Sequence, residues 1–218
     1  VSADGAKALI DELHSALDPK AYRKAVALLA ESEFIDIFGV ENSLTPAMDL
    51  FTKLGYLGLT CRLNTDAYLQ QIGAGHLPHG AVAVAFSHSG SSADTVKALR
   101  LAKSHGAKTI AITNAIGAPL ASWADVTLLT GRDSHTIYGN AIFSRVADTA
   151  LVDMLYMGRD SVRLWPVLHR ARRIRSHDSR PRIRELSCCF IAPWAVLLWS
   201  LLLGLLTIWS LSPWSLPS

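Results

Sequence analysis

Three cysteines stand in 218 residues, at positions 61, 188 and 189. So few, two of them adjacent, supply neither a disulfide framework nor a zinc-ligand spacing, and a reducing compartment is the expectation. The opening residues, VSADGAKALI, hold no apolar run and no cleavage pattern, so nothing there predicts secretion through a signal peptide. They also lack a starting Met, as expected of a fragment or a processed product. Neither G-x-G-x-x-G nor G-x-x-x-x-G-K-[ST] occurs, which speaks against a dinucleotide fingerprint and a nucleotide P-loop. G-x-S-x-G is missing too, and with it the signature of an α/β serine hydrolase.

Charge is unevenly spread. Residues 1–158 carry 12 basic and 15 acidic side chains, whereas residues 159–218 carry nine arginines, no lysine and three acids. The basic pI of about 8.9 therefore belongs to the tail and says nothing about what the rest binds. Half the residues are apolar and 18% charged, which excludes a wholly disordered chain, and 23.6 kDa suits one globular domain with appendages.

Up to residue 158 the pattern alternates between helical and strand periods. Ala8, Leu9, Leu13, Ala16 and Leu17 recur at helical spacing, and Asp18-Pro19 restarts a helix through Tyr22, Val26 and Leu29. Short apolar runs follow at Phe34–Val40, Thr60–Leu63, Ala81–Phe86, Thr109–Thr113 and Val126–Leu129, the form taken by strands buried on both faces. Helical segments lie between them near 43–57, 65–74, 92–105 and 118–123. A last helix over 140–157 sets Ile142, Val146, Ala150 and Met154 on one stripe. This rhythm predicts an α/β fold: an open parallel sheet of about five strands with helices on both faces, preceded by two helices. The expected division is 1–32 as linker and first helices, 33–158 as the α/β domain, 159–189 as an Arg-rich linker and 190–211 as a hydrophobic segment.

The tail differs in style. Leu186 to Ser218 has no charged residue, and FIAPWAVLLWSLLLGLLTIWSL (190–211) would be ~33 Å long as a helix, enough to cross a hydrocarbon core. Arginines before it and Trp194 and Trp209 near its ends fit a transmembrane segment with a cytoplasmic N-terminus. Two other readings stay open: a buried hairpin broken at Pro193 and Gly204, and a non-native tail such as an out-of-frame translation yields. The Arg cluster at 159–184 reads as a solvated linker or an anchor for anionic lipid.

The most informative segment is AVAVAFSHSGSSADTVKALRLAKSHGAKTIAITN (81–114). A strand ends at Phe86, a hydroxyl-rich loop follows with Ser87, Ser89, Ser91, Ser92 and Thr95 around Gly90, and a helix begins near Ser92. Ligands of open α/β sheets sit outside the carboxyl ends of strands, where the next helix offers unpaired N–H groups to an anion. Several neutral donors around one glycine, with no lysine, suit a terminal phosphate monoester. Ser91 with Asp94 also forms a capping-box spacing, so a purely structural cap competes with this reading. His88 reads either as a base or as a solvated loop residue.

With these residues quoted, residues 34–157 resemble the sugar isomerase (SIS) phosphosugar-binding domain, in the form found in RpiR/MurR-type bacterial transcriptional regulators. The matching pieces are FIDIFGVENS (34–43), FSHSGSSADT (86–95), AKTIAITN (107–114), APLASWADVTLLT (118–130) and HTIYGNAIFSRVADTALVDMLYM (135–157). The resemblance implies a flavodoxin-like, Rossmann-like three-layer fold and a sugar phosphate ligand. It implies that Ser87, Ser89 and Ser92 hold the phosphate, with Asn42 and Ser43 contributing from the first loop. Glu41, His88, Gly90, Thr95, His135 and Arg145 are additional pocket candidates, and Asn140 and Ser144 complete a second wall with the last two. Many members carry glycine where this chain has Glu41, whose carboxylate is expected to face the sugar. No catalytic residue, metal or cofactor is expected. The expected protein is an effector-sensing domain of a regulator of sugar metabolism, a cytoplasmic homodimer or homotetramer. It reaches DNA only through a helix-turn-helix domain absent from this chain, and a membrane only through 190–211. Helix 6–17 would link it to that DNA-binding head. The alternative is a phosphosugar isomerase or lyase, which needs a base from among Glu41, His76, His88 and His135.

Overall fold

A computed structural model of the chain describes residues 3–132 and 144–158. The expectations placed on His135, Asn140 and Ile142, on the Arg cluster and on 190–211 lie outside the described residues. Among those described, no helix is long and apolar enough to cross a membrane.

Two helices come first. Helix α1 (Ala3–Ala16) is followed by α2 (Pro19–Glu31), which Asp18 starts by accepting the Lys20 N–H at 2.9 Å, with Pro19 in the first turn where no N–H is required. Strands β1 (Ile35–Phe38), β2 (Cys61–Leu63), β3 (Val82–Phe86), β4 (Lys108–Thr113) and β5 (Val126–Leu129) alternate with helices α3 (Leu44–Tyr56), α4 (Ala67–Ala74) and α5 (Ala93–Ser104). A further helix, α6, runs over 146–158. The five strands form one sheet in the order β2-β1-β3-β4-β5, every pair parallel. The α/β sheet read from the apolar runs is thus the one observed. The 118–123 segment is a short 3-10 turn at Ala121–Trp123.

Strand alternation sorts the two faces. Ile35 and Ile37, Val82, Val84 and Phe86, Ile110 and Ile112, Val126 and Leu128 all face one core, closed by Val26 and Leu29 of α2, Leu50 and Leu54 of α3, and Leu151 and Leu155 of α6. Ala83, Ala85 and Ala111 face the other, where Ala98, Leu99 and Ala102 of α5 pack on them. Small residues on both partners let α5 approach the sheet closely. The buried face of α6 is Asp148, Leu151, Val152 and Leu155, not the expected stripe. Ala150 and Met154 instead border a groove of about 350 Å3 with Leu13, Leu17 and Tyr22, and the Tyr22 hydroxyl donates to the Met154 carbonyl at 2.6 Å. The polar Asp148 conceals this face from any reading by hydrophobicity alone.

The second face also buries an ion pair. Asp36, on β1 and 1% exposed, accepts from Arg62 Nε at 3.0 Å and from its Nη2 at 2.7 Å, while the guanidinium lies over the Phe34 ring at 5.3 Å. Two parallel hydrogen bonds satisfy a carboxylate that would otherwise be costly to bury.

Candidate functional site

The order of the strands reverses at β1 and β3, whose carboxyl ends lie side by side with Phe38 opposite Ala85. Loops leaving two such neighbours diverge to opposite faces, and a crevice opens between them. Here it is a cleft of about 360 Å3. Val40, Glu41, Asn42 and Ser43 form one wall, Phe86, Ser87, His88, Ser89 and Ser92 the other, and Arg145 joins them from just before α6.

The β3–α5 loop is locked by its own backbone. The Gly90 N–H donates to the Ser87 carbonyl at 2.9 Å, and the Gly90 carbonyl accepts from Leu120 N–H at 2.9 Å. The His88 carbonyl accepts from the Thr113 hydroxyl at 3.1 Å and from Asn114 N–H at 3.0 Å. Gly90 has φ 62°, and a Cβ there would stand 2.2 Å from the Ala118 methyl, so only glycine fits. Gly90 and Thr95 are both buried and do not line the cleft; Gly90 shapes the loop from beneath.

Helix α5 begins one residue later than the expected capping box requires. Ser92 is its N-cap, with no side-chain cap bond. Ser91 instead donates its hydroxyl to Ser89 Oγ at 3.0 Å and its N–H to the same atom at 3.3 Å, while Asp94 accepts from Gln71 at 3.2 Å. The Ser91–Asp94 box is therefore not formed, because those residues are not the N-cap and N3 positions. The opposite wall repeats this feature: Ser43, N-cap of α3, also makes no side-chain cap bond. Both helices that start at the cleft thus bring an uncommitted serine hydroxyl to it; at α5 the first-turn N–H groups are open as well, an arrangement suited to an anion, whereas at α3 the preceding 3-10 turn already binds the Ser43 and Leu44 N–H groups.

The β1 wall is set by a buried amide. Gln70, 1% exposed, donates to the carbonyls of Gly39 at 2.7 Å and Asn64 at 2.8 Å, and accepts the Gly39 N–H at 3.3 Å. A Cβ at Gly39 would stand 3.0 Å from the Ser43 carbonyl oxygen, a tight approach that favours glycine there.

One residue that sequence reasoning misses is Asp148. Its carboxylate is 5% exposed and lies 4.0 Å from His88 Nδ1 and 3.8 Å from Arg145 Nε. Burial raises its pKa, against the lowering effects of the Thr130 hydroxyl, His88 and Arg145. It thereby adjoins the two cleft side chains that can carry positive charge. The signal in the sequence is slight: an acid one turn after Arg145 on an otherwise apolar helix face. Ser144 is also buried, and His76 does not line the cleft. Cys61 is half-buried, and burial pushes its thiol up to about 11, which keeps it protonated and unreactive at neutral pH. Among the described residues no group of three or more His, Cys, Asp or Glu side chains is placed to hold a metal ion.

Comparison with known proteins sets this geometry in context. The SIS domain family model matches residues 28–158. An uncharacterized helix-turn-helix-type transcriptional regulator of Caldanaerobacter subterraneus subsp. tengcongensis is 32% identical over 151 residues, 69% of this chain and 54% of that protein. The helix-turn-helix-type transcriptional regulator HexR of Escherichia coli is 30% identical over 155 residues, 71% of this chain and 53% of its own length. The chain therefore spans about half the length of the curated relatives it matches. Among solved structures, the Vibrio vulnificus NanR protein complexed with ManNAc-6P superposes with a TM-score of 0.70 at 24% identity, covering 82% of this chain and 69% of that one. The sugar isomerase domain of an RpiR transcription factor from Sphaerobacter thermophilus gives 0.66 at 23%, covering 78% and 95%. At these identities the likeness speaks for the fold.

Proposed function

The chain belongs to the SIS domain family, and we propose that its cleft binds a phosphorylated sugar as the effector-sensing part of an RpiR-type transcriptional regulator of sugar metabolism. The observation that carries this reading is the pair of helices, α3 and α5, that open on the cleft with serine N-caps whose hydroxyls cap nothing. In it, Ser87, Ser89 and Ser92 hold the phosphate together with the N–H groups of α5, Asn42 and Ser43 contribute from the β1 wall, and Arg145 adds a counter-charge. His88 donates from the same loop as the serines. Hydrogen bonds to a charged group contribute about 1.5–3 kcal/mol each, so three or four give micromolar binding after the cost of association.

The relatives named as helix-turn-helix-type regulators support a division of labour in which this domain reads the effector and a separate helix-turn-helix segment reads DNA. The proposal includes a cytoplasmic homo-oligomer in which the effector alters the relation between subunits. The ManNAc-6P held by the NanR structure supports the ligand class without specifying the sugar.

Phosphorus NMR of the chain with hexose, amino-sugar and pentose phosphates tests this. Broadening or shift of one ligand's signal without new peaks is expected. A protein-dependent product peak would replace sensing by isomerisation and direct attention to Glu41 and to His88 beside Asp148. Ser92→Ala is the site control: affinity should fall roughly tenfold or more while the unfolding midpoint stays in place, because this hydroxyl caps no N–H. Unchanged affinity in Ser92→Ala would remove the serine loop from the site.

A further inference from the structure

Glu41 is the single non-glycine residue with a left-handed backbone among the described residues, at φ 52°. That conformation brings Cβ against the following carbonyl, a strain that glycine would not feel. Nor is the loop able to relax it away, since Gln70 pins Gly39 two residues earlier and the Ser43 N–H is bound to the Val40 carbonyl at 3.0 Å. Glu41 opens the 3-10 turn Glu41–Ser43 and borders the cleft, where its carboxylate is exposed to solvent and makes no hydrogen bond or ion pair with any described residue. A charged side chain that serves nothing in the fold, held in a costly conformation at the mouth of a polar cleft, has the marks of a ligand contact.

What it would contact follows from charge. The serine wall, the start of α5 and Arg145 form an environment for an anion, and a carboxylate beside them is unfavourable for a phosphate alone. Glu41 is useful only if the same ligand carries a donor away from its phosphate, and a cationic donor gains most. We propose that Glu41 selects a ligand bearing a protonated amine in addition to its phosphate. The preferred effector is then an amino-sugar phosphate, ahead of the neutral sugar phosphate and of the N-acetylated form, whose amide has no charge and more bulk. This inference rests on the phosphosugar reading above.

Titration calorimetry of the full chain decides it, with matched amine, hydroxyl and acetamide forms of the 6-phosphate in gluco, manno and galacto configuration. The protein should bind the amine of its preferred configuration roughly five- to tenfold more tightly than the matching alcohol, the effect of one charge-assisted contact near solvent. Glu41→Gln should bring that ratio within about twofold. Glu41→Gly should flatten it as well and melt no lower than the parent protein, since glycine adopts this φ without strain. Equal affinities for the matched pair, or a preference that survives Glu41→Gln, would overturn the selection by Glu41 and leave phosphosugar binding intact. No binding by any form in any configuration would overturn both.

Discussion

Helices α2 and α4 begin with an aspartate, and helices α3 and α5 begin with a serine. Asp18 and Asp66 each accept a backbone N–H of their own first turn, at 2.9 Å in both cases, and neither borders the cleft. Ser43 and Ser92 border it and cap nothing. Where the helix start has only the fold to serve, a carboxylate satisfies it and complements the dipole. For the anion proposed above, a carboxylate at these positions would be repelling, whereas a serine is neutral, and at α5 it leaves the first-turn N–H groups available. The difference separates caps that serve their own helix from serines that do not, and the proposed function assigns the second kind to the ligand.

Exchanging the two kinds of cap should break the comparison most sharply. Ser92→Asp gives α5 the cap that α2 and α4 possess, so its unfolding midpoint in urea should hold or rise. Its affinity for the sugar phosphate should fall more than about a hundredfold, because like charges in contact cost several kcal/mol. Affinity within tenfold of the parent would mean that the phosphate lies elsewhere. Asp66→Ala probes the other class: a loss of about 1 kcal/mol in urea unfolding, with ligand affinity changed less than about twofold. A large loss of affinity there would erase the distinction.

The smallest effect concerns Asp148, and its sign is informative. Burial, the largest influence, raises this carboxyl's pKa in the folded protein. Its stabilising contribution is therefore complete below the pKa of an unfolded aspartate, about 3.9, and is lost as pH rises through the folded value. Asp148→Asn removes that loss, so the difference in stability between variant and parent should shift in the variant's favour between pH 4 and pH 7. A shift the other way would show that His88 and Arg145 outweigh burial and hold the group ionised.

Much of this architecture is legible from residue pattern. The five apolar runs match the five strands within one or two residues, because central strands such as β3, buried on both faces, leave a nearly continuous apolar record, and β2 and β5 at the sheet edges are still mostly apolar. Asp18-Pro19 marks the start of α2 by chemistry specific to helix starts, and the serine loop stands out by composition. The residues that escape are polar ones buried for the sake of a partner. Gln70 reads as an ordinary surface residue of a short helix, Asp36 as an interruption in a strand, and Asp148 as the exposed side of α6. Each is placed by a contact far away in sequence, which no local period encodes. The capping box at Ser91 fails for a different reason: a spacing rule depends on the helix starting where the rule assumes, and one residue of offset reassigns every role.

The hydrogen bond from Tyr22 to Met154 has a mechanical consequence. Arg145 sits just before the first turn of α6 and Met154 nine residues further along, about 13 Å at helical rise. A hydrogen-bonded helix of this length is stiff along its axis, and it has one end at the cleft, its middle packed on the sheet through Leu151 and Leu155, and its far turn bonded to α2. On the proposed reading, a displacement of Arg145 by ligand would reach the N-terminal helices along α6, through the Tyr22–Met154 hydrogen bond and the core contacts of Leu151 and Leu155.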